Sequence, residues 1–353
     1  MSFSQTAMVK AYSGALVIAD VLLLLLKVLY CILEGVYRFF LPADEQSVAG
    51  EIVLLPNKSV MLVAKINRAL RRRSQQVTGA GHGIGKELAL KYASLGATLV
   101  CWDINDTNNE ETVDEIKKMG GAAAHGYKCD VSNREEVLRV ADKVKREVGT
   151  VSILVNNAGI MPCRPFLEHT AAEIQKMMDI NVMAHFWILQ AFLPDMLAKN
   201  HGHVVALSSI AGIVGLTNLV PYCASKFALN FFTLLKPAFL GREPPGLMEA
   251  LSEELRISSS VGGTKSNIKF TTIYPYMVDT GLCKKPKIKF PSLMAVVPPQ
   301  EAAAVIVRAQ RRNVPELSIP SHWLGVNYFL RNFPDKVPRA IKDFLDSGVA
   351  ADD

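Results

Sequence analysis

"QQVTGAGHGIGK", residues 75–86, decides how the rest of the chain is read. Gly79, Gly83 and Gly85 have the spacing of a turn that brings backbone against a phosphate, with Ile84 between the last two. Such a turn follows a buried strand and opens a helix, whose free N–H groups and dipole attract the anion. Here Arg71-Arg72-Arg73-Ser74-Gln75-Gln76 comes before it, and no buried strand is built of those residues. A glycine-rich turn also serves as a plain connector. The stretch alone leaves two readings open, a dinucleotide site or a link between elements.

The flanking chain favours the first. "KELALKYASLG" reads as a helix and "ATLVCWDI" as a strand, then "ETVDEIKKMGG" and "AHGYKCDV", then "REEVLRVADKVKREVG" and "SILVNNAG". A long helical stretch over 170–200 precedes the strand "GHVVALSS", and "IKFTTIYP" follows. Apolar strands alternating with amphipathic helices predict an α/β fold: a Rossmann-type, doubly wound parallel sheet in a single domain, covered on both faces. "VAGEIVLL", 48–55, looks like its first strand. Asp103 ends the second strand, about 20 residues past the turn, where a carboxylate accepts hydrogen bonds from the adenosine ribose and repels a 2′-phosphate. That favours NAD over NADP, and neither Trp102 nor Ile104 supplies a basic residue for NADP. A helix N-cap is the other reading of Asp103.

Composition narrows the partners. The chain has 353 residues, 50% of them hydrophobic, and a net charge of +6, so nucleic acid is not the expected partner. Six cysteines lie far apart with no CxxC pair, which points to a reducing compartment, and the histidines show no ligand spacing. No metal is predicted. The excess apolar content sits at the front, in "ALVIADVLLLLLKVLYCIL", 15–33. A spanning helix needs roughly 20 such residues. Asp20 and Lys27 interrupt it, each costing about 2.5–3.5 kcal/mol at mid-membrane. Residues 1–40 are read as an N-terminal hydrophobic membrane helix, with a signal peptide and a buried helix as rivals. No small-residue cleavage site follows, and Arg38, Lys58, Lys65, Arg68 and Arg71–Arg73 place the catalytic part on the cytosolic side. The domain then covers 41–320. The tail, 321–353, contains "SHWLGVNYFLRNFP" with apolar residues at helical spacing, read as a cover for a substrate pocket or a membrane contact.

The sharper chemistry lies in "YCASK". Tyr222 and Lys226 are four apart, so a helix puts both on one face. A phenol ionises near about 10. A neighbouring ammonium favours the phenolate, which lets the pair move a proton at neutral pH. Ser209, at the end of "HVVALSS", is able to hydrogen-bond a substrate oxygen.

"TGAGHGIG", "CDVS" (129–132), "NNAG" (156–159), "SS" (208–209) and "YCASK" (222–226) occur in one order and spacing. With them the chain resembles the short-chain dehydrogenase/reductase family over residues 77–320. "LVCWDIN", "AHFW", "NHGHVV" and "PYMVDTG" are similar to its membrane-anchored branch of retinol and 17β-hydroxysteroid dehydrogenases. The resemblance implies an NAD-dependent enzyme that interconverts a lipophilic alcohol, retinol or a hydroxysteroid, and its carbonyl. Tyr222 is then the general acid/base, Lys226 its partner, Ser209 the residue that orients the oxygen, and Asn181 the anchor of a proton-relay water. Asp130 and Val131 border the adenine, Asn157 and Gly159 the adjoining ribose, and Thr280 the carboxamide. Tyr276 stands where many members have glycine. The same resemblance implies an endoplasmic reticulum or lipid-droplet surface with the catalytic domain facing cytosol, a lipophilic small-molecule substrate, and a homodimer. A catalytically silent scaffold that retains the fold, and an NADP-dependent carbonyl reductase, are the alternative readings.

Two stretches depart from the pattern. Residues 56–76 separate the first strand from the glycine turn, and "LNFFTLLKPAFLGREPP" follows "KFA", so that an insertion over 229–243 divides what is one helix in relatives. Pro237, Pro244 and Pro245 in a helix interior each cost about 3 kcal/mol. The stretches are either real loops or sequence foreign to the working protein, such as retained intron. The flanks join into family sequence when both are removed.

Overall fold

The computed structural model describes residues 44–55, 80–120, 122–230, 246–262, 266–290, 294–331, 333–334, 336–345 and 348–352, with single helical positions between 19 and 37. Gly79, Asp20, Lys27, the stretch 56–76 and residues 231–245 lie outside them. Two units form, Met1–Glu45 and Gln46–Asp353.

In the first unit Leu22, Leu23, Leu26, Leu29, Tyr30, Leu33 and Tyr37 are helical and exposed. Among the described residues no helix is long and apolar enough to cross a membrane, and most of the spanning helix expected over 1–40 lies outside them.

The second unit is built on a sheet. Its strands are β1 (Ile52–Leu55), β2 (Thr98–Asp103), β3 (Ala124–Lys128), β4 (Ile153–Asn156), β5 (Gly202–Leu207), β6 (Ile268–Pro275) and β8 (Glu316–Ile319). They run in the order β3-β2-β1-β4-β5-β6-β8, each pair parallel. A separate antiparallel ribbon joins β7 (Pro286–Lys287) to β9 (Gly348–Val349). The stretch "VAGEIVLL" therefore supplies the central strand: Leu54 lies opposite Val100 on one flank and Leu154 on the other.

Helices cover both faces, as the continuous apolar strands require. Val53 and Leu55 point into one core with Leu88 and Tyr92 of α1 (Gly83–Ser94), Ile116 of α2 (Asp106–Met119) and Ile306 of α8 (Pro299–Arg311). Leu54 points the other way, toward Val140 of α3 (Arg134–Glu147), Phe192 of α5 (Ala184–Ala198) and Met248 of α7 (Leu247–Gly262). Each of these side chains is buried, and full burial of one such residue contributes about 1.5–3 kcal/mol.

A polar chain crosses the first core. The Tyr92 hydroxyl donates to Gln310 Oε1 at 3.3 Å, and Gln310 Nε2 lies 3.3 Å from His203 Nδ1. Thr271 Oγ1 spends its proton on the Val314 carbonyl at 2.8 Å, so it accepts from His203 Nε2 at 2.9 Å. That assigns the His203 tautomer, and burial pushes its pKa down to about 3, keeping the ring neutral.

The helical stretch expected over 170–200 is divided. The helix α4 (Ala171–Met178) opens on a capping box between Thr170 and Glu173, then a π turn spans Asp179–Met183 before α5 begins. The helix α6 (Val220–Phe227) carries the "YCASK" residues. Beyond it Leu229 and Asn230 are buried, and Asn230 Nδ2 donates to the Gly212 carbonyl at 2.6 Å. Leu229 and Asn230, the first residues of the insertion expected over 229–243, thus pack with the fold. The C-terminal segment forms α9 (His322–Leu330), α10 (Lys336–Leu345) and β9.

Candidate active site

The C-terminal ends of β4, β5 and β6 converge on one cavity; with the solvent in its open mouth counted, the space is about 920 Å³. Ser209 follows β5, and Tyr222 and Lys226 come from successive turns of α6, which Pro221 helps to start. All three line the cavity, as do Ile84, Asn157, Gly159 and Thr280. The helix spacing read from "YCASK" does what it must: Lys226 Nζ lies 5.8 Å from the centre of the Tyr222 ring.

Lys226 is buried and donates to the Leu207 carbonyl at 2.8 Å. Burial pulls its pKa down to about 8. Tyr222 is buried too, and desolvation raises its phenol pKa well above the ordinary value, while a hydrogen bond with Ser209 acts in the opposite direction. The lowering of Tyr222 expected from Lys226 is not seen: burial is the largest influence on the phenol, and Ser209 supplies the opposing one. Ser209 Oγ accepts from Ala211 N–H at 3.1 Å and donates to the Pro275 carbonyl at 3.3 Å, which fixes the hydroxyl at the cavity wall.

Asn181 sits in the π turn. Its Oδ1 accepts from Ile160 N–H at 2.8 Å, and its Nδ2 donates to the Ile160 carbonyl and to Ser225 Oγ, both at 3.0 Å. Gly159 holds the two halves together: a Cβ there would stand 3.4 Å from Lys226 Nζ and 3.5 Å from Asn181 Oδ1. The asparagine and the lysine are therefore neighbours across the glycine backbone.

At the other end, α1 begins with Gly83 at φ 56° after an extended His82 that offers no side-chain cap, and no acidic residue stands in its first turn. Its first N–H groups are left for an anion. By contrast α2 and α3 are capped by Asn105 and Asn133. Asp103 is buried at the end of β2 and accepts from Gly81 N–H at 3.3 Å and Asn105 N–H at 2.8 Å. Burial pushes its pKa up to about 6, and those backbone donors limit the rise. The two readings of Asp103 meet here: the cap of α2 is Asn105, so the carboxylate is held at the turn and not spent on the helix. Gly85 is buried in α1. Asp130 bends back on Ser132, accepting from its N–H at 2.9 Å and its hydroxyl at 2.7 Å, and Val131 is fully buried beside it. Thr280 is buried, with Oγ1 accepting from Leu282 N–H at 3.3 Å.

Several residues of the site carry no signal in the spacing. Gly81 is one: a Cβ there would lie 2.4 Å from Asn108 Cβ and 2.7 Å from its backbone, so only glycine lets the turn lie against α2. Ser208 donates to the Lys226 carbonyl at 2.8 Å, and Gly212 is so close to that carbonyl that a Cβ would meet it at 2.7 Å. Both fasten α6 behind the reacting groups. Tyr276 packs on Trp323 of α9, ring centres 6.0 Å apart. The aromatic that replaces glycine thus ties the cavity to the C-terminal segment.

Residues 75–236 match the profile described as short chain dehydrogenase. Across 83% of its length the chain is 41% identical to short-chain dehydrogenase/reductase family 16C member 6 of Bos taurus, covering 79% of that protein. The chain belongs to the short-chain dehydrogenase/reductase family, a family of NAD(P)-dependent oxidoreductases acting on alcohols and carbonyls. Human epidermal retinol dehydrogenase 2 is 38% identical over 90% of each chain, and human 17-beta-hydroxysteroid dehydrogenase 13 is 36% identical over 89% of each. Among solved structures, a short-chain dehydrogenase/reductase from Burkholderia phymatum in complex with NAD shares the fold with a TM-score of 0.61 at 22% identity, over 81% of this chain and 94% of that one. A 7 alpha-hydroxysteroid dehydrogenase complexed with NADH shares it with a TM-score of 0.55 at 24% identity, over 77% and 93%.

Proposed function

We propose that the protein is an NAD-dependent dehydrogenase that interconverts a lipophilic alcohol, retinol or a hydroxysteroid, and its carbonyl. The observation that carries the reading is the set Ser209, Tyr222 and Lys226 on the wall of an apolar cavity that Ile84 of the glycine turn also lines, with Asn181 packed beside Lys226 behind Gly159. The residues fit a nicotinamide dinucleotide. Gly83, Ile84 and Gly85 would hold the pyrophosphate, Asp103 the adenosine ribose, and Asp130 and Val131 the adenine. Asn157, Gly159, Tyr222, Lys226 and Thr280 would hold the nicotinamide half. Asp103, buried and without a basic neighbour, supports NAD over NADP.

When bound, the nicotinamide supplies the hydride acceptor and a positive charge. The chain's own groups do the rest. Ser209 holds the alcohol oxygen, and Tyr222 takes the hydroxyl proton as the carbon gives up its hydride. Lys226 stabilises the phenolate, and Asn181 holds the water that carries the proton outward. In the reverse direction Tyr222 donates to the carbonyl oxygen.

A lipid surface is the proposed location, either endoplasmic reticulum or lipid droplet. The apolar run over 15–33 supports it, as do Phe329, Phe333 and Phe344, 40–64% exposed, on a segment that also carries Lys336, Arg339 and Lys342. Aromatic and basic side chains together are the composition of helices that lie in a membrane interface.

The test is turnover in mild detergent, with retinol and a hydroxysteroid each supplied with NAD or NADP and NADH fluorescence followed. Formation of the aldehyde or ketone with NAD is expected. Tight NADH binding with no turnover of any alcohol or carbonyl would move the assignment to the silent scaffold.

A further inference from the structure

The last residues described run across the cavity as a strap, and each of its tethers ends on a different wall. Asn218 Nδ2 donates to the Val349 carbonyl at 3.0 Å, from the loop before α6. Ala350 N–H donates to the Lys285 carbonyl at 3.1 Å, extending the β7–β9 ribbon in which Val349 faces Pro286. Asp352 closes a two-way clasp on the segment after β4: its N–H donates to the Cys163 carbonyl at 2.7 Å, and its Oδ2 accepts from Cys163 N–H at 3.2 Å. Lys284 Nζ stands 3.6 Å from the same carboxylate oxygen.

Between these tethers Val349 turns inward. It is 6% exposed, lines the cavity, and shares an apolar cluster with Tyr222, Met277 and Cys163. The segments that hold the strap also supply Met161, Leu216 and Cys283 to the cavity. Among the described residues, Met161, Leu216, Cys283 and Val349 offer no charged group to a ligand here, so the ligand portion that lies against them is hydrocarbon.

We propose that Gly348–Asp352 is the specificity wall of the alcohol cavity, and that Val349 sets how bulky an apolar group can lie beside Tyr222. The proposal rests on the dehydrogenase reading above and adds to it the element that selects the substrate. Val349 is a specificity residue and takes no part in the proton transfer. A wall residue acts on the size of the ligand and touches none of Gly83, Ile84, Gly85 and Asp103, which would hold the pyrophosphate and adenosine ribose of the dinucleotide.

The experiment compares wild type with Val349→Trp, Val349→Leu and Val349→Ala, using retinol, a hydroxysteroid and a short allylic alcohol, 3-methyl-2-buten-1-ol. Filling the wall with Trp should lower kcat/KM for the two bulky alcohols at least about 10-fold, the scale on which an apolar pocket discriminates by size. The short alcohol and the NADH dissociation constant should change less than twofold. Leu should give a smaller change of the same sign, and Ala the opposite sign. Equal changes for all three alcohols, or none, would overturn the proposal, and Val349→Leu with a wild-type melting temperature decides the matter if the Trp variant does not fold. Should the wild type turn over no alcohol, the dehydrogenase reading fails by itself. The wall is then tested by binding of 1-anilinonaphthalene-8-sulfonate in the presence of NADH. Loss of at least about 10-fold with Trp and a gain with Ala sustain it, and unchanged binding overturns it.

Discussion

The Leu247 N–H donates to the Ala228 carbonyl at 2.8 Å, as a helical N–H donates to the carbonyl four residues before it. One turn earlier Ala228 N–H donates to Ala224, so the hydrogen-bond ladder of α6 passes into α7 across a gap in sequence. Gly246 lies against Asn230 so closely that a Cβ on it would meet the Asn230 oxygen at 2.5 Å. Excising 231–245 would make Asn230 precede Gly246 and place Leu247 four residues after Ala228. It also removes all three prolines. Closing a loop of that length costs about 3 kcal/mol of chain entropy. The excised protein should therefore melt roughly 5 °C higher, with KM values unchanged. A lower melting temperature in calorimetry would show that the stretch supports the fold.

Lys226 is buried in the site at a cost to stability. Its folded pKa, about 8, lies below the ordinary 10.5, so at neutral pH the fold carries a charge it disfavours. The unfolded chain binds that proton more tightly, and stability rises with pH between about 8 and 10.5. Replacing Lys226→Met removes the buried charge and also the hydrogen bond to Leu207. The net gain should be about 1–3 kcal/mol at pH 7, with loss of turnover. Urea denaturation at pH 7 and pH 10 checks it: the variant should be the more stable at pH 7 and should lack the alkaline rise.

Tyr222→Phe removes a single oxygen from a buried ring. Turnover should fall by about 10²–10⁴-fold, the range of positioned acid/base catalysis, while NADH affinity stays within twofold. Fluorescence titration beside steady-state rates separates the two quantities. Equal loss of both would mean that the hydroxyl serves binding and not proton transfer.

Asp103 links cofactor affinity to pH. Its folded pKa of about 6 exceeds the ordinary 3.8, so its contribution to fold stability is full below about 3.8 and is lost as pH rises through 6. Binding to the ribose hydroxyls runs the other way, because it needs the carboxylate. NADH affinity should drop as pH falls below about 6, approaching tenfold per unit, and Asp103→Asn should abolish that dependence. Isothermal titration from pH 5 to pH 8 reads it directly.

Gly81→Ala tests the turn from the other side. The added methyl meets the Asn108 backbone, which has no rotamer to move, and overpacking of this kind costs about 1–3 kcal/mol. The variant should lose NADH affinity more than tenfold while Ser209, Tyr222 and Lys226 keep their places.

What could be read in advance followed from short-range physics. The strands are apolar on both faces because helices cover both, and that pattern needs no tertiary knowledge. Tyr222 and Lys226 are one helical turn apart, so their meeting in space was visible as four positions in a row of letters. Gly81 was not visible, since its need for a bare Cα comes from Asn108, which reaches it only through the fold. The π turn over Asp179–Met183 falls where neither glycine nor proline marks a break in 170–200. The upward shift of Tyr222 comes from burial by residues distant in sequence, and the place of Val349 depends on a two-residue ribbon too short to show alternation.

The central strand has one more effect, on the speed of folding. β1 is hydrogen-bonded on both flanks and buried on both faces, yet it contributes only Ile52–Leu55 and must find β2 and β4 from a distance. Residues 56–76 lengthen the crossover from β1 to β2 and so raise the entropy lost when that contact closes. The penalty grows with the logarithm of the length, about 0.6 kcal/mol for each doubling. Such a chain reaches its native sheet a few times more slowly than one without the stretch, and it spends that added interval with the sheet's middle position unfilled.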